Sequence, residues 1–268
     1  MRIVKILFAL IAGVSLLCLT ACGQKTEADN VVTVGIIDGP DAVLWTAAQQ
    51  VAQQKYGLTI KLVTFSDYNM PNEALSDGDI DANAFQHAPF LDAQIQAFHY
   101  NLIPAAKTFV YPIAMYSKKI TNIKQLKAGD QIAIPNDPSN ESRALLLLQQ
   151  GGLITLQKGA GVNATVQNIA TNPMRLKITE IDAAQLPRVL QDVTAAVINN
   201  DFAQPAGLLA SKDGILVENA NSPYMNLIVI RPDEKDSLKI KELVDSYQSP
   251  EVKAAAQKLY GKNAIAGW

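Results

Sequence analysis

One arginine and two asparagines suit a ligand that carries a carboxylate and an ammonium group. Arg143 ends the polar segment of residues 135–143, which follows a predicted strand and opens a predicted helix. A guanidinium group or a helix N-terminus binds a carboxylate, and amide oxygens accept hydrogen bonds from an ammonium group. Asn199 and Asn226 lie inside apolar strands, where the partner of the amide could be the backbone or a ligand. Arg143 could instead be an exposed residue beside Glu141.

Aromatic side chains are concentrated between Phe85 and Phe90, at the junction of a predicted strand and a predicted helix. Phe85, His87 and Phe90 could line a pocket for an apolar or thioether side chain, because sulfur packs well against aromatic rings. The alternative is that Phe85 and Phe90 belong to the core and that His87 lies on the surface.

The sequence lacks the common catalytic motifs. It contains no G-x-S-x-G, P-loop, G-x-G-x-x-G or H-E-x-x-H pattern. Its two histidines, His87 and His99, do not supply the three ligands that a catalytic zinc ion usually takes. A histidine–carboxylate pair could still transfer protons. We nevertheless predict a binding protein rather than an enzyme, with no cofactor and no metal.

The composition indicates a folded chain that does not bind nucleic acid. Hydrophobic residues make up 49% of the 268 residues and charged residues 18%, which is typical of a globular protein. The formal net charge is −2 and there is no long basic run, so a polyanionic partner is not expected.

The first residues have the pattern of a secretion signal. Arg2 and Lys5 precede an apolar run that is shorter than the roughly 20 residues of a membrane span. The small residues before Cys22 resemble a bacterial lipobox. We therefore predict a signal peptide at residues 1–21, acyl chains such as palmitate on Cys22, and a lipidated flexible tether at residues 22–30.

From residue 31 onward, strand-like and helix-like segments alternate, which favours an α/β fold with largely parallel sheets. Two units are expected, joined by crossing segments at residues 109–117 and 223–230. The predicted strands and extended segments are residues 31–37, 58–65, 80–85, 102–117, 131–135, 175–181, 194–199, 213–219 and 224–230. The predicted helices are residues 41–56, 71–76, 89–99, 138–150, 183–191, 237–247 and 250–260. Asp137 and Pro138 suit the N-cap and first position of the fourth helix.

Segments spread over nearly all of the mature chain resemble the NlpA/MetQ family of methionine-binding lipoproteins, which are parts of ATP-driven importers. These segments are residues 55–92, 108–120, 134–154, 195–199, 222–229 and 267–268. The resemblance implies a two-lobed periplasmic-binding-protein fold, type II-like, with the ligand in the cleft between the lobes. One lobe would comprise residues 31–112 and 224–268, and the other residues 113–223.

The resemblance also implies a role for each site residue. Arg143 would hold the ligand carboxylate, with Asn140 in the same binding loop, and Asn199 and Asn226 would hold the amino-acid backbone. The residues expected around the ligand side chain are Tyr68, Phe85, His87 and Phe90. Family members often have tyrosine at the position of Phe90, so a hydrogen bond from that position is not expected here.

The implied function is capture of methionine, chiefly the L form, and its delivery to an ABC permease and its ATPase. Within this class, the ligand could also be D-methionine, a methionine-containing dipeptide or another small apolar amino acid. A surface adhesin or a hydrolase would be a different class. The expected protein is a monomer, anchored by lipid to the cell membrane and facing the periplasm or the cell exterior.

Overall fold

The structure is a computed structural model that describes residues 30–219, 223–261 and 264–268. The predicted signal peptide and Cys22 lie outside these residues, as does nearly all of the predicted tether. Within the described residues, none of the helices has the length and apolar character that crossing a bilayer requires.

The first of two five-stranded sheets has the strand order β2-β1-β3-β13-β4. Its middle is apolar because β1 is a β-branched run that is buried along most of its length. β1 pairs in parallel with β2 and β3, whereas β13 is antiparallel to β3 and β4. The strands are β1 (Val31–Ile37), β2 (Thr59–Phe65), β3 (Ala82–Asn83), β4 (Ile103–Lys107) and β13 (Leu227–Ile230).

The second sheet has the order β10-β7-β11-β6-β12. β7 is parallel to β10 and β11, and β6 is antiparallel to β11 and β12. Each sheet is therefore half parallel and half antiparallel, and the prediction of largely parallel sheets was wrong in this respect. The strands are β6 (Ala114–Tyr116), β7 (Gln131–Pro135), β10 (Lys177–Ile181), β11 (Ala195–Ile198) and β12 (Leu216–Val217).

Two small pairings complete the strands. β5 (Phe109–Val110) is antiparallel to β14 (Ile265–Ala266), and β8 (Thr155–Leu156) is antiparallel to β9 (Ile169–Thr171). None of β8, β9 and β14 was predicted, because strands of two or three residues leave almost no periodic signal in a sequence.

Helices cover the sheets, and the side chains of His87, Asp137 and Ser249 cap the N-termini of three of them. Asp137 accepts a hydrogen bond from the backbone N–H of Asn140, and Pro138 takes the first helical position, as predicted. The helices are α1 (Ala42–Tyr56), α2 (Met70–Asp77), α3 (Ala88–Phe98), α4 (Pro138–Gln150), α5 (Leu186–Val189), α6 (Asn200–Ala203), α7 (Ala210–Asp213), α8 (Leu238–Tyr247) and α9 (Pro250–Tyr260). Short 3-10 helices occur at Ile123–Gln125, Gly161–Asn163, Val166–Asn168, Ala183–Gln185 and Pro232–Glu234.

Buried apolar side chains form two clusters on the first sheet, one on the second sheet and a further one between the sheets. Trp45 and Tyr247 pack together on the first sheet, with ring centroids 4.5 Å apart. Leu145 and Ile132 belong to the cluster of the second sheet. The cluster between the sheets joins residues from both, and this is where the site lies.

The chain passes between the sheets twice. The first connection, residues 111–113, joins β5 to β6. The second connection, residues 218–226, joins β12 to β13, and its residues 220–222 lie outside the described ones. The first sheet thus takes strands from both ends of the chain. The precise lobe boundaries, 31–112 with 224–268 and 113–223, stay a prediction.

Candidate functional site

A cavity lies between the two sheets, with about 380 Å³ of space outside the protein atoms, part of it open to solvent. Its wall contains all eight residues that the sequence singled out as ligand-binding, although their contacts with a ligand stay predictions. The lining residues are Tyr68, Phe85, Gln86, His87, Phe90, Tyr111, Ile113, Asn140, Arg143, Asn199, Asn200, Asp201 and Asn226.

Most of these side chains are positioned by segments that follow the carboxyl ends of parallel strands, where open α/β sheets bind their ligands. Tyr68 follows β2, Asn199 follows β11, and Asn226 precedes β13. The segment after β3 carries Phe85 and His87 and leads to Phe90 in α3, and the segment after β7 leads to Asn140 and Arg143 in α4.

Arg143 is buried, with 4% of its surface exposed, and its charge is matched by Glu218. Its Nε donates to Oε1 of Glu218 over 2.9 Å and its Nη2 to Oε2 over 2.6 Å. Nη2 also donates to the carbonyl oxygen of Tyr111 over 2.8 Å. The alternative of an exposed arginine beside Glu141 was wrong, because Glu141 instead accepts from the backbone N–H of Val166 over 2.8 Å. Nη1 of Arg143 has no hydrogen-bond partner among the described residues.

Asn140 is the centre of a buried polar group. Its Oδ1 accepts from Nδ2 of Asn199 over 2.8 Å and lies 3.2 Å from Nε2 of His87. Its Nδ2 donates to the Asp137 carboxylate over 3.0 and 2.9 Å. Oδ1 of Asn199 is buried and has no hydrogen-bond partner among the described residues. A buried acceptor without a donor in the cavity wall is a binding point for an N–H or O–H group of a ligand.

His87 is a neutral, buried hydrogen-bonding residue rather than a surface residue, so that alternative was wrong. Its Nδ1 accepts from the backbone N–H of Phe90 over 3.2 Å, which assigns the proton to Nε2 and makes Asn140 the acceptor of that proton. Burial, with the nearby Arg143 charge second, lowers the pKa of His87 to about 3.

Asn226 is fixed to the first sheet by its backbone. Its N–H donates to the carbonyl of Phe109 over 3.1 Å, and its carbonyl accepts from Thr108 over 2.8 Å. Its Nδ2 donates to the carbonyl of Phe85 over 3.4 Å. Oδ1 has no donor among the described residues, so one face of this amide is open to a ligand.

The aromatic residues form both core and cavity wall. Tyr68, Phe85 and Phe90 are each less than 10% exposed, and their ring centroids are 5.7 to 5.8 Å apart in every pair. Tyr68 also packs on Phe202, with centroids 4.8 Å apart. Core packing and pocket lining were posed as alternatives for Phe85 and Phe90, and the structure shows that they do both.

The sequence reasoning missed Asp201, the single acidic residue in the cavity wall as described. Its Oδ2 accepts from the hydroxyl of Tyr68 over 2.8 Å, a bond that joins the two sides of the cavity. Burial, with the Asp41 carboxylate second, raises the pKa of Asp201 to about 7. Asp41 in turn accepts from the hydroxyls of Tyr111 and Tyr260, and burial raises its pKa as well. Asp201 follows the same buried strand as Asn199, so the position was open to the same reasoning.

Metal ligands are not grouped in the described part of the chain: no three His, Cys, Asp or Glu residues there could hold an ion together. The cavity instead offers a guanidinium, amide oxygens and an aromatic wall. Such a surface binds a small molecule that has a zwitterionic head and an apolar tail. The two-sheet fold and this cavity define the class of two-lobed periplasmic binding proteins.

Comparison with known proteins gives the family. Residues 32–268 match the family described as NlpA lipoprotein. The chain is 53% identical over 254 residues, 94% of each protein, to the D-methionine-binding lipoprotein MetQ of Salmonella typhimurium. The chain therefore belongs to the NlpA lipoprotein family, a family of lipoproteins rather than of enzymes, and the predicted resemblance is confirmed.

Solved structures confirm the predicted fold class. The crystal structure of the methionine binding protein MetQ is 52% identical and has a TM-score of 0.88, covering 90% of this chain and 99% of that one. A nutrient binding protein from Burkholderia cenocepacia, solved bound to methionine, is 50% identical with a TM-score of 0.86 and covers 88% of this chain and 100% of that one.

Proposed function

We propose that this chain is the substrate-binding lipoprotein of an ATP-driven importer and that its ligand is methionine. The observation that carries the proposal is the buried Oδ1 of Asn199, which has no donor among the described residues and lies in a cavity that also contains Arg143. Leaving a buried acceptor unpaired costs about 1–3 kcal/mol. An ammonium group in the cavity would donate to this oxygen and offset that cost.

The head group of an amino acid fits the polar side of the cavity. Its carboxylate would bind Arg143, whose Nη1 is not used by the described residues. Its ammonium would donate to the amide oxygens of Asn199 and Asn226. Because His87 is neutral, it adds no positive charge that would repel the ammonium group.

The side chain of methionine fits the aromatic side. Tyr68, Phe85 and Phe90 surround an apolar space, and a thioether near aromatic rings gains about 0.3–1.5 kcal/mol over a plain hydrocarbon. Two relatives support this choice, since one is named as a binder of D-methionine and another was solved with methionine bound. D-methionine, a methionine-containing dipeptide and other small apolar amino acids are the competing ligands to be tested.

Binding would be coupled to closure of the cavity. The hydrogen bonds His87–Asn140 and Tyr68–Asp201 each join a residue next to the first sheet to one next to the second. A ligand that touches both sides stabilises the closed form by its differential affinity. The closed form would then deliver methionine to the permease and its ATPase. Lipid on Cys22 would hold this monomer at the membrane, facing the periplasm or the cell exterior.

The test is calorimetry on protein stripped of ligand by mild unfolding and refolding. L-methionine, D-methionine, a methionyl dipeptide, alanine and glutamate are titrated into wild type, Arg143→Lys and the control Arg188→Lys. Lysine keeps the charge but not the planar fork, so we expect Arg143→Lys to lose at least tenfold in affinity, about 1.4 kcal/mol. Arg188 is exposed, and its replacement should change nothing. Binding of alanine or glutamate in preference to methionine, or unchanged affinity in Arg143→Lys, would refute the proposal.

A further inference from the structure

We propose that Glu218 is a positioning residue of this site, which fixes the guanidinium of Arg143 so that a ligand carboxylate meets it in one orientation. The inference rests on the proposed function, because it concerns how the carboxylate of an amino acid is recognised. It adds a residue that is absent from the cavity wall and acts only through Arg143.

The pairing of Glu218 with Arg143 is bidentate and nearly dry. Both carboxylate oxygens are used, at 2.9 Å from Nε and 2.6 Å from Nη2, and the side chains are 12% and 5% exposed. A paired fork of this kind fixes the plane of the guanidinium as well as its position. Of the three nitrogens, Nη1 alone remains for a ligand. The direction in which Nη1 points into the cavity is therefore set by the pairing of Arg143 with Glu218.

Glu218 is itself held by the first connection. Its N–H donates to the carbonyl of Ile113 over 3.0 Å, and its Oε2 accepts from the N–H of Ile113 over 3.3 Å. Arg143 donates to the carbonyl of Tyr111, which lies in the same connection, two residues before Ile113. The ring of Tyr224, in the second connection, lies 4.4 Å from Cζ of Arg143. The guanidinium is thus fixed to both connections between the sheets, and not only to its own helix α4.

Two effects of Glu218 on ligand binding have opposite signs. Its negative charge reduces the attraction of Arg143 for a carboxylate, so its removal would tighten binding if charge dominated. Its pairing also orders a long side chain before the ligand arrives, so its removal would weaken binding if orientation dominated. We expect orientation to dominate, because the ligand has access to one free nitrogen and depends on its alignment.

The experiment measures how well the full protein distinguishes methionine from methioninamide, which lacks the carboxylate. The ratio is the Kd of methioninamide divided by the Kd of methionine, so a high ratio means that the carboxylate is recognised. Calorimetry gives this ratio for wild type, Glu218→Gln, Arg143→Lys and the double variant. Glutamine has the same size but one acceptor for two donors, so Glu218→Gln should lower the ratio at least fivefold. In the Arg143→Lys background the same change should alter the ratio less than twofold. Glu141→Gln is the matched control, since Glu141 is buried on α4 but bonds Val166.

The outcomes separate this inference from the function on which it rests. A wild type that binds neither compound refutes the proposed function. A wild type that binds both equally refutes the contact between the ligand carboxylate and Arg143, and with it the role of Glu218. A wild type that prefers methionine, with the same ratio in Glu218→Gln or with tighter methionine binding there, refutes the role of Glu218 alone. A fall in melting temperature without a change in ratio would likewise make Glu218 a structural counter-ion and overturn the proposal. If Glu218→Gln does not fold, Glu218→Asp keeps the charge, shortens the reach and should lower the ratio by a smaller factor.

Discussion

The protonation of Asp201 makes the stability of this protein depend on pH in a way that one substitution can remove. Asp201 is partly buried at the cavity, accepts from Tyr68 and lies near the Asp41 carboxylate and the Arg143 guanidinium. Burial and Asp41 raise its pKa to about 7, against the ordinary value of 3.8. Between these two pKa values, the native protein keeps a proton on Asp201 that the unfolded chain has already released. The stabilisation from this proton is complete below the ordinary pKa and is lost as the pH rises to about 7.

The magnitude follows from the two pKa values. Each pH unit over which the native state alone holds the proton changes the free energy of unfolding by about 1.4 kcal/mol. Between pH 5 and pH 8 the wild type should lose on the order of 2.5 kcal/mol from this group. Asp201→Asn carries no ionisable proton and keeps an oxygen that can accept from Tyr68, so it should not show this loss.

Urea unfolding of the ligand-free protein at pH 5, 6, 7 and 8 measures the effect. The free energy of unfolding of wild type is subtracted from that of Asp201→Asn at each pH, because the titration of other groups then largely cancels. Asp192→Asn, at an exposed position, controls for the removal of one negative charge. We expect the stability of Asp201→Asn relative to wild type to rise steadily up to about pH 7 and then to level off. A difference that stays constant with pH, or a gain equalled by Asp192→Asn, would refute the reasoning.

Three further predictions concern the ligand and the anchor. Asn199→Ala should weaken methionine binding at least tenfold in calorimetry. The melting temperature of the ligand-free protein should fall little. Near wild-type affinity would contradict the contact between Oδ1 of Asn199 and the ligand ammonium group. Norleucine should bind about 2- to 12-fold more weakly than methionine, corresponding to about 0.3–1.5 kcal/mol, and equal affinities would show that the sulfur is not sensed by Phe85 and Phe90. Cys22→Ala should abolish lipidation, seen by intact mass and detergent partitioning, without changing the free energy of unfolding, since the described core clusters begin at Val32. An unmodified wild-type N-terminus in native membranes would refute the anchor.

Local signals in the sequence located most elements and most of the cavity. The cap at Asp137 and the proline after it fixed the start of α4, and the buried run before it fixed β7. Because parallel strands end at a common edge, residues that follow them could be expected to meet there. This is why the segment with Arg143 could be singled out from the residues alone, whereas Asn199 was noted as an amide inside an apolar strand and its binding role was implied by the family resemblance.

The partners of these residues could not be found in the same way. Glu141 is two positions from Arg143, but residues at that spacing on a helix do not face each other. The actual partner, Glu218, is 75 positions away and is brought near by the pairing of β12 with β6. The pairing of β14 with β5 depends in the same manner on the finished tertiary structure. Long-range contacts of this kind have no local signature.

The insertion of β13 between β3 and β4 has a consequence for how the chain acquires its structure. All five strands of the second sheet lie between Ala114 and Val217, in one continuous part of the chain, so this sheet can assemble as soon as that part is available. The first sheet lacks an inner strand until Leu227–Ile230 arrives. A chain that emerges N-terminus first therefore cannot finish its N-terminal sheet until most of its length has emerged. Such distant pairing slows folding, and it lengthens the time during which the nascent chain lacks a complete first sheet.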